Sequence, residues 1–398
     1  MISRRQFLKS TSLLALAPTV PAFLARTARA AEPKQDGRVL VVLELQGGND
    51  GINTVVPFKD DGYAKHRRAL RLPADTLIKI NDEVGLNPAM TAAGELLQSK
   101  RLAIVQGVGY PNPNRSHAES MGIWHTARLS SNEATGGWLG LALDDAPKPY
   151  TGAPASVFLS TLSVPVALRG RRSMASALPQ LEDFVAPSEG PIRKVVAGSE
   201  PADDLTAFVR RSLLDGYTTA DWLKEVGRAK NTGVTYPPTQ LARNLQLIAR
   251  LLKSGLGAPV FYAYQGSYDT HAGQLFTHAS LLGELSGALK AFLDDLAAAR
   301  IAERVLVLGF SEFGRRVDEN GSAGTDHGTA GPVFLAGPCV KPGLIGKTPS
   351  LVDLQDGDLK MSIDFRRVYA TVLEDWLKLP AKAALAATFE RLPLFAET

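Results

Sequence analysis

One cysteine, Cys339, stands in 398 residues, which excludes an intrachain disulfide framework and any cysteine-rich metal site. Its place after Gly337-Pro338 predicts a buried strand edge or turn, not a nucleophile. Past the N-terminal segment no apolar run is long enough to span a membrane. There is no internal repeat and no low-complexity tract. The Gly-rich turn Gln46-Gly47-Gly48-Asn49-Asp50-Gly51 lacks the G-x-G-x-x-G spacing, and no helix obviously starts after it, so a nucleotide fingerprint is rejected. Ser116 lies outside any G-x-S-x-G turn, which removes the main motif support for a metal-free serine hydrolase using Ser116, a histidine and an acid.

A strong charge of one sign is missing as well. The formal net charge is +4, but residues 1–30 hold Arg4, Arg5, Lys9, Arg26 and Arg29 and no acidic residue. Without them the charge is −1, so the remainder offers no basic field for nucleic acid. That first segment has its own pattern. Ser3-Arg4-Arg5-Gln6-Phe7-Leu8-Lys9 resembles the consensus of twin-arginine export signals, a modestly apolar stretch runs from Leu13 to Leu24, and Ala28-Arg29-Ala30 is a small-x-small cleavage pattern. Cleavage after Ala30 is expected, leaving a periplasmic or secreted protein with no stable membrane span.

Hydrophobic content of 45% is enough for a sizeable core. Continuous apolar runs at Arg38–Leu45, Leu102–Val108, Pro259–Tyr264 and Val305–Phe310 read as strands covered on both faces. Helical patterns at 89–99, 118–128, 238–252, 274–300 and 365–379 alternate with them. The expectation is one α/β domain over residues 31–398, with a mainly parallel central sheet and helices on both faces. Residues from about 129 to 237, rich in proline and glycine, read as a cap or insertion, with helical stretches near 204–214 and 219–230.

What the chain does have is polar residues at the ends of those strands. The stretch Val305–Gly337 shows it best: a buried strand, the turn Ser311-Glu312-Phe313-Gly314, a polar loop ending in Thr325-Asp326-His327-Gly328, and a second apolar run, Pro332–Ala336. Asn49-Asp50, Arg115-Ser116-His117 and Asp269-Thr270-His271 follow the other strands. Strand ends of an open parallel sheet share one edge, so these segments should converge there. Asp, Glu and neutral His ligate zinc or manganese, and carboxylates also suit calcium. Asp50, Asp269, His271, Glu312, Asp326 and His327 supply ligands for one divalent ion, or for two. An ion beside Ser116 would lower its hydroxyl pKa, and Arg115 could pair bidentately with anionic oxygens. N-capping of the following helix is the alternative role for Ser116. His278, on the apolar stripe of the 274–300 helix, reads as a core-edge histidine.

In this order the phrases Gly47-Gly48-Asn49-Asp50-Gly51, Asn114-Arg115-Ser116-His117, Tyr268-Asp269-Thr270-His271, Ser311-Glu312-Phe313-Gly314-Arg315 and Thr325-Asp326-His327-Gly328 resemble the alkaline phosphatase/sulfatase superfamily. More closely, they resemble an uncharacterised, twin-arginine-exported bacterial family grouped with it. The resemblance implies an alkaline-phosphatase/sulfatase-like fold and an exported metal-dependent hydrolase of phosphate or sulfate esters, small or polymeric. Ser116 takes the place of the nucleophile, with Arg115 and His117 beside it. Asp50 resembles the metal-bridging acid, Asp269 and His271 an Asp/His ligand pair, and His327 the last histidine ligand. Two departures stand out. The Asp/His pair is usually spaced four apart, and position 273 is Gly. Glu312-Phe313 falls where an Asp-His or Asp-Asn pair is usual, and phenylalanine cannot bind a metal, so the second ion site would lack a ligand or be absent. The competing reading is a non-catalytic exported binding protein with a degenerate metal site on the same fold.

Overall fold

The computed structural model describes residues 37–130, 136–146, 154–160, 162–173, 175–178, 226 and 232–396. The expected export signal, the helical stretch near 204–214, that near 219–230 apart from residue 226, and most of the expected cap lie outside them.

In chain order the strands are β1 (Val39–Leu45), β2 (Val55–Val56), β3 (Ile78–Lys79), β4 (Gly85–Leu86), β5 (Leu102–Gly109), β6 (Ser156–Phe158) and β7 (Ala175–Ala177). They continue with β8 (Val260–Gln265), β9 (Val305–Ser311), β10 (Gly331–Ala336), β11 (Gly343–Ile345), β12 (Leu354–Gln355), β13 (Asp358–Leu359) and β14 (Ile363–Asp364). Nine of them form the central sheet, ordered β11-β5-β10-β9-β1-β8-β6-β7, with β14 beside β5. β2, β4 and β3 make a small antiparallel sheet, and β12 pairs β13.

The strand period of two explains why helices cover both faces. Val39, Val41, Leu43 and Leu45 of β1 point to one side, where the helices Thr91–Gln98, Gln240–Lys253 and Gln274–Ala298 pack. Leu40 and Val42 point to the other, against His117–Thr126, Trp138–Asp144 and Phe365–Thr371. The sheet is mainly parallel, as expected. The exception is β10, antiparallel to both β5 and β9, and that exception positions the site. Because β10 runs the other way, its first residue lies at the edge where β1, β5, β8 and β9 end. The loop before it, carrying Asp326 and His327, is therefore delivered to the same edge as loops that follow parallel strands.

Local structure departs from expectation in two places. A single helical turn, Gly51–Thr54, does follow the Gly-rich loop, because the Asp50 carboxylate accepts from the backbone N–H of Ile52 and Asn53 and caps it. The C-terminal helix is regular over Phe365–Thr371 and then widens into a π-helix at Val372–Leu377, where Trp376 Nε1 donates to Val39 O at 3.0 Å. Cys339 is partly buried in a turn, and burial pushes its thiol up to about 12. Among the described residues no helix is long and apolar enough to cross a membrane.

Candidate metal centre

Of the chain's six histidines, three meet at the strand-end edge. His117 begins the His117–Thr126 helix after β5, His271 lies in the loop after β8, and His327 precedes β10. Asp269, also after β8, stands among them. Its Oδ1 lies 2.9 Å from His271 Nε2 and 3.2 Å from His327 Nε2, and its Oδ2 lies 3.5 Å from His117 Nε2. The two nitrogens His271 Nε2 and His327 Nε2 are themselves 3.0 Å apart. His117, Asp269 and His327 each offer a ligand atom, all within 4.8 Å of one another.

The far side of each ring decides its tautomer. His117 Nδ1 faces Glu312 Oε1 at 2.8 Å, His271 Nδ1 faces Asp326 Oδ1 at 3.1 Å, and His327 Nδ1 faces the Arg115 carbonyl at 2.7 Å. All three partners are acceptors, so each Nδ1 carries the proton and each Nε2 presents a lone pair toward Asp269. Facing lone pairs around a carboxylate repel unless a proton or a cation sits between them. The spacing fits a cation. Ligand bonds of about 2.0–2.1 Å in a tetrahedral zinc site put neighbouring ligand atoms about 3.3 Å apart. The Asp269 Oδ1, His271 Nε2 and His327 Nε2 separations come close to that. His117 Nε2 points the same way, is shielded from solvent and has no hydrogen-bond partner. Three imidazole nitrogens and one carboxylate suit zinc or manganese and not calcium, which takes six to eight oxygens.

Charge on the site follows its partners. His117 is raised above the ordinary imidazole value, chiefly by its hydrogen bond to Glu312. Burial works to raise Asp269, but the Arg315 guanidinium that donates to it outweighs this and brings the carboxyl down to about 2. Asp326 is lowered by Asn320 and His271. Phe313 is buried, and its ring lies 5.0 Å from the centres of both His117 and His327, which are 4.2 Å apart edge to face. The residue that cannot bind metal thus forms the apolar wall behind two imidazoles. Gly48 makes room for it: at φ +77°, a Cβ there would meet the Phe313 ring at 2.4 Å.

The expected site residues divide into three groups. Asp269, His271 and His327 converge, joined by His117. Glu312 and Asp326 stand one bond behind them and orient imidazoles instead of facing the cluster; Glu312 also accepts from Gly47 N (2.9 Å) and the Ser311 hydroxyl (2.9 Å). The remaining three lie outside the cluster, and each has its own surroundings. Asp50 is fully buried and paired with Arg67, at 2.5 Å from Nη1 to Oδ2 and 3.0 Å from Nη2 to Oδ1, and it also accepts from Gln274 and its own helix turn. Burial opposes its ionisation and Arg67 overcomes that, so it stays an anion with its lone pairs spoken for. The Arg115 guanidinium is held on the buried carboxylate of Asp358 through Nε (2.9 Å) and Nη2. Ser116 occupies the N-cap position, yet its hydroxyl makes no capping bond and the residue is exposed. The helix is steadied instead by Asn114 Oδ1, which accepts from Ser116 N at 2.8 Å.

Arg67 and Arg315 are the residues that sequence reasoning missed. Arg67 has no local signal, since its partners are distant in the chain. Arg315 had one, its place at the end of the Ser311-Glu312-Phe313-Gly314-Arg315 phrase.

The profile described as "Protein of unknown function (DUF1501)" matches residues 38–387. The chain belongs to the DUF1501 family. Every residue of the cluster lies within the matched span of this DUF1501 protein. A comparison with curated proteins finds no match. Among solved structures, the DUF1501 chain is similar to the lipoteichoic acid synthase LtaP from Listeria monocytogenes, with a TM-score of 0.34 and 11% identity, over 85% of this chain and 80% of that one. It is also similar to the PsFucS1 sulfatase from Pseudoalteromonas sp., with a TM-score of 0.37 and 11% identity, over 93% of this chain and 74% of that one. Likeness at this level does not transfer function.

Proposed function

We propose that the chain is an exported hydrolase of phosphate or sulfate esters that works with one divalent ion, zinc or manganese, held by Asp269, His117, His271 and His327. The observation that carries this is the convergence of three Nε2 lone pairs on one carboxylate, each opposite an Nδ1 held by a carboxylate or carbonyl acceptor. When bound, such an ion supplies Lewis acidity to an ester oxygen and lowers the pKa of a neighbouring hydroxyl. The chain supplies the rest. Ser116, exposed and uncapped next to His117, is the nucleophile in this reading. Arg115, with Nε and Nη2 on Asp358, keeps Nη1 for an anionic ester oxygen.

A second reading has support of its own. Arg67 occupies Asp50 and Phe313 stands where a second ion's ligand would be, which favours a non-catalytic protein that binds its ligand through a single ion. Metal analysis of the full-length protein, with turnover of p-nitrophenyl phosphate and p-nitrophenyl sulfate, separates the two. Stoichiometric zinc or manganese that is lost in His327→Ala, together with release of p-nitrophenol, is the expected result. Bound metal without turnover supports the binding protein, and a chain that takes up no metal overturns both readings.

A further inference from the structure

We infer that Arg315 is the positioning residue of the centre: it holds Asp269 and clasps together the two loops that carry Asp269, His271 and His327, together with the Gly-rich loop after β1. This rests on the proposed single-ion site and adds to it a residue that touches neither the ion nor the substrate.

Arg315 is buried, and its donors go to several segments at once. Nε donates to Gly48 O at 2.8 Å, and Nη1 donates to Thr325 O at 2.7 Å. Nη2 donates to Asp269 Oδ1 at 2.7 Å and to Tyr268 O at 3.0 Å, and it also contacts Gly47 O. The acceptors come from the loop after β1, the loop after β8 and the loop before β10. One planar fork therefore fixes the separation of segments that are remote in the chain. Those loops contain Asp269, His271 and His327, three of the proposed ligands.

The bond to Asp269 is the specific part. Oδ1 is the oxygen nearest His271 Nε2 and His327 Nε2. A carboxylate oxygen has two lone-pair directions, and Arg315 takes one of them. The other is left aimed between the two imidazoles. Without the guanidinium the half-exposed Asp269 side chain would be free to rotate into solvent. Gly47 shows how closely the loops are drawn in: a Cβ there, at φ +116°, would stand 2.4 Å from Asp269 N. Lysine has the charge but not the fork, and its compact ammonium cannot reach Gly48, Thr325 and Asp269 together.

The test uses the full-length protein as wild type, Arg315→Lys and Arg315→Gln, loaded with Zn²⁺ or with Co²⁺. Zinc affinity is measured by chelator competition, the ligand field by the visible absorption of the Co²⁺ form, and the fold by circular dichroism and thermal unfolding. Both variants are expected to keep the fold, to bind Zn²⁺ roughly 10–100-fold more weakly and to show altered Co²⁺ absorption. Asp269→Asn is expected to weaken binding as well, and adding Arg315→Lys to it should bring little further loss, since both changes remove one interaction. If Arg315→Lys and Arg315→Gln fold and bind Zn²⁺ with wild-type affinity and a wild-type Co²⁺ spectrum, the inference is overturned and the single-ion reading stands. If neither variant folds, Arg315 is a residue of stability and the inference is likewise overturned. A wild-type chain that binds neither ion removes the single-ion reading itself and the inference with it.

Discussion

Glu312 Oε1 lies 2.8 Å from His117 Nδ1, and the same oxygen accepts the Gly47 N–H at 2.9 Å. The carboxylate is buried and tied at its other oxygen to the Ser311 hydroxyl, so it cannot swing to become a ligand. Its work is to hold the imidazole and to make Nε2 more basic.

Glu312→Gln keeps the shape and removes the charge. Zinc affinity is expected to fall roughly 10–100-fold, the range for partners of ligating histidines, with a native circular dichroism spectrum. Asp326→Asn should cost less, because Asp326 is exposed to solvent. Chelator competition on the two variants checks the order. Equal affinity in Glu312→Gln and wild type would show that His117 is not a ligand.

The Asp50–Arg67 pair is fully buried on both sides. Removing one partner of such a pair leaves an uncompensated charge, at roughly 3–5 kcal/mol. Arg67→Met is expected to lose about that much stability in denaturant unfolding. Asp50→Asn should lose stability as well, and the double variant should recover part of it. Metal content of Asp50→Asn should equal that of wild type. Loss of the ion in a folded Asp50→Asn protein would return Asp50 to the ligand set that its sequence position implied.

The edge of the sheet was legible because apolar strand runs end in polar residues, and in a parallel sheet those ends must coincide. That reasoning placed Asp269, His271 and His327 at one edge, and their side chains meet there. It could not separate ligands from the groups behind them, because both jobs are done by the same residue types: Glu312 and Asp326 carry the same carboxylate as Asp269 and differ only in which way they face. The direction of β10 was also invisible, since an apolar run reads alike in either sense. Arg67 was hidden for a third reason. It meets Asp50 and the carbonyls of Arg316 and Val317 only through the fold, and no local pattern marks a buried arginine. The packing of Phe313 against His117 and His327 is likewise a product of the fold.

His278 is buried, and burial lowers its pKa from 6.5 to about 4. Its Nε2 lies 2.9 Å from Asn49 Oδ1, so the neutral ring donates to that oxygen. The unfolded chain binds a proton there below about pH 6.5 and the folded chain does not until about pH 4. Stability from this group is therefore fully present above pH 6.5, falls as the pH drops through that window, and levels off below it. The loss is on the order of 3 kcal/mol. His278→Gln keeps a donor toward Asn49 and has nothing to titrate. The difference in unfolding free energy between wild type and His278→Gln should change between pH 7 and pH 4.5, and a constant difference would refute the assignment.

Ser116 gives the last and most direct prediction. Its hydroxyl is exposed and makes no capping bond, so Ser116→Ala should leave folding and bound metal unchanged. If the serine attacks the ester, turnover of p-nitrophenyl phosphate or sulfate should fall by roughly 10³-fold or more. A phosphorylated or sulfated Ser116 peptide should then be found by mass spectrometry of wild type quenched during turnover. Turnover that survives in Ser116→Ala would mean that water attacks directly and that the serine only begins the His117–Thr126 helix. The centre would remain, with His117 still delivered to it by that helix, but the covalent route would be closed.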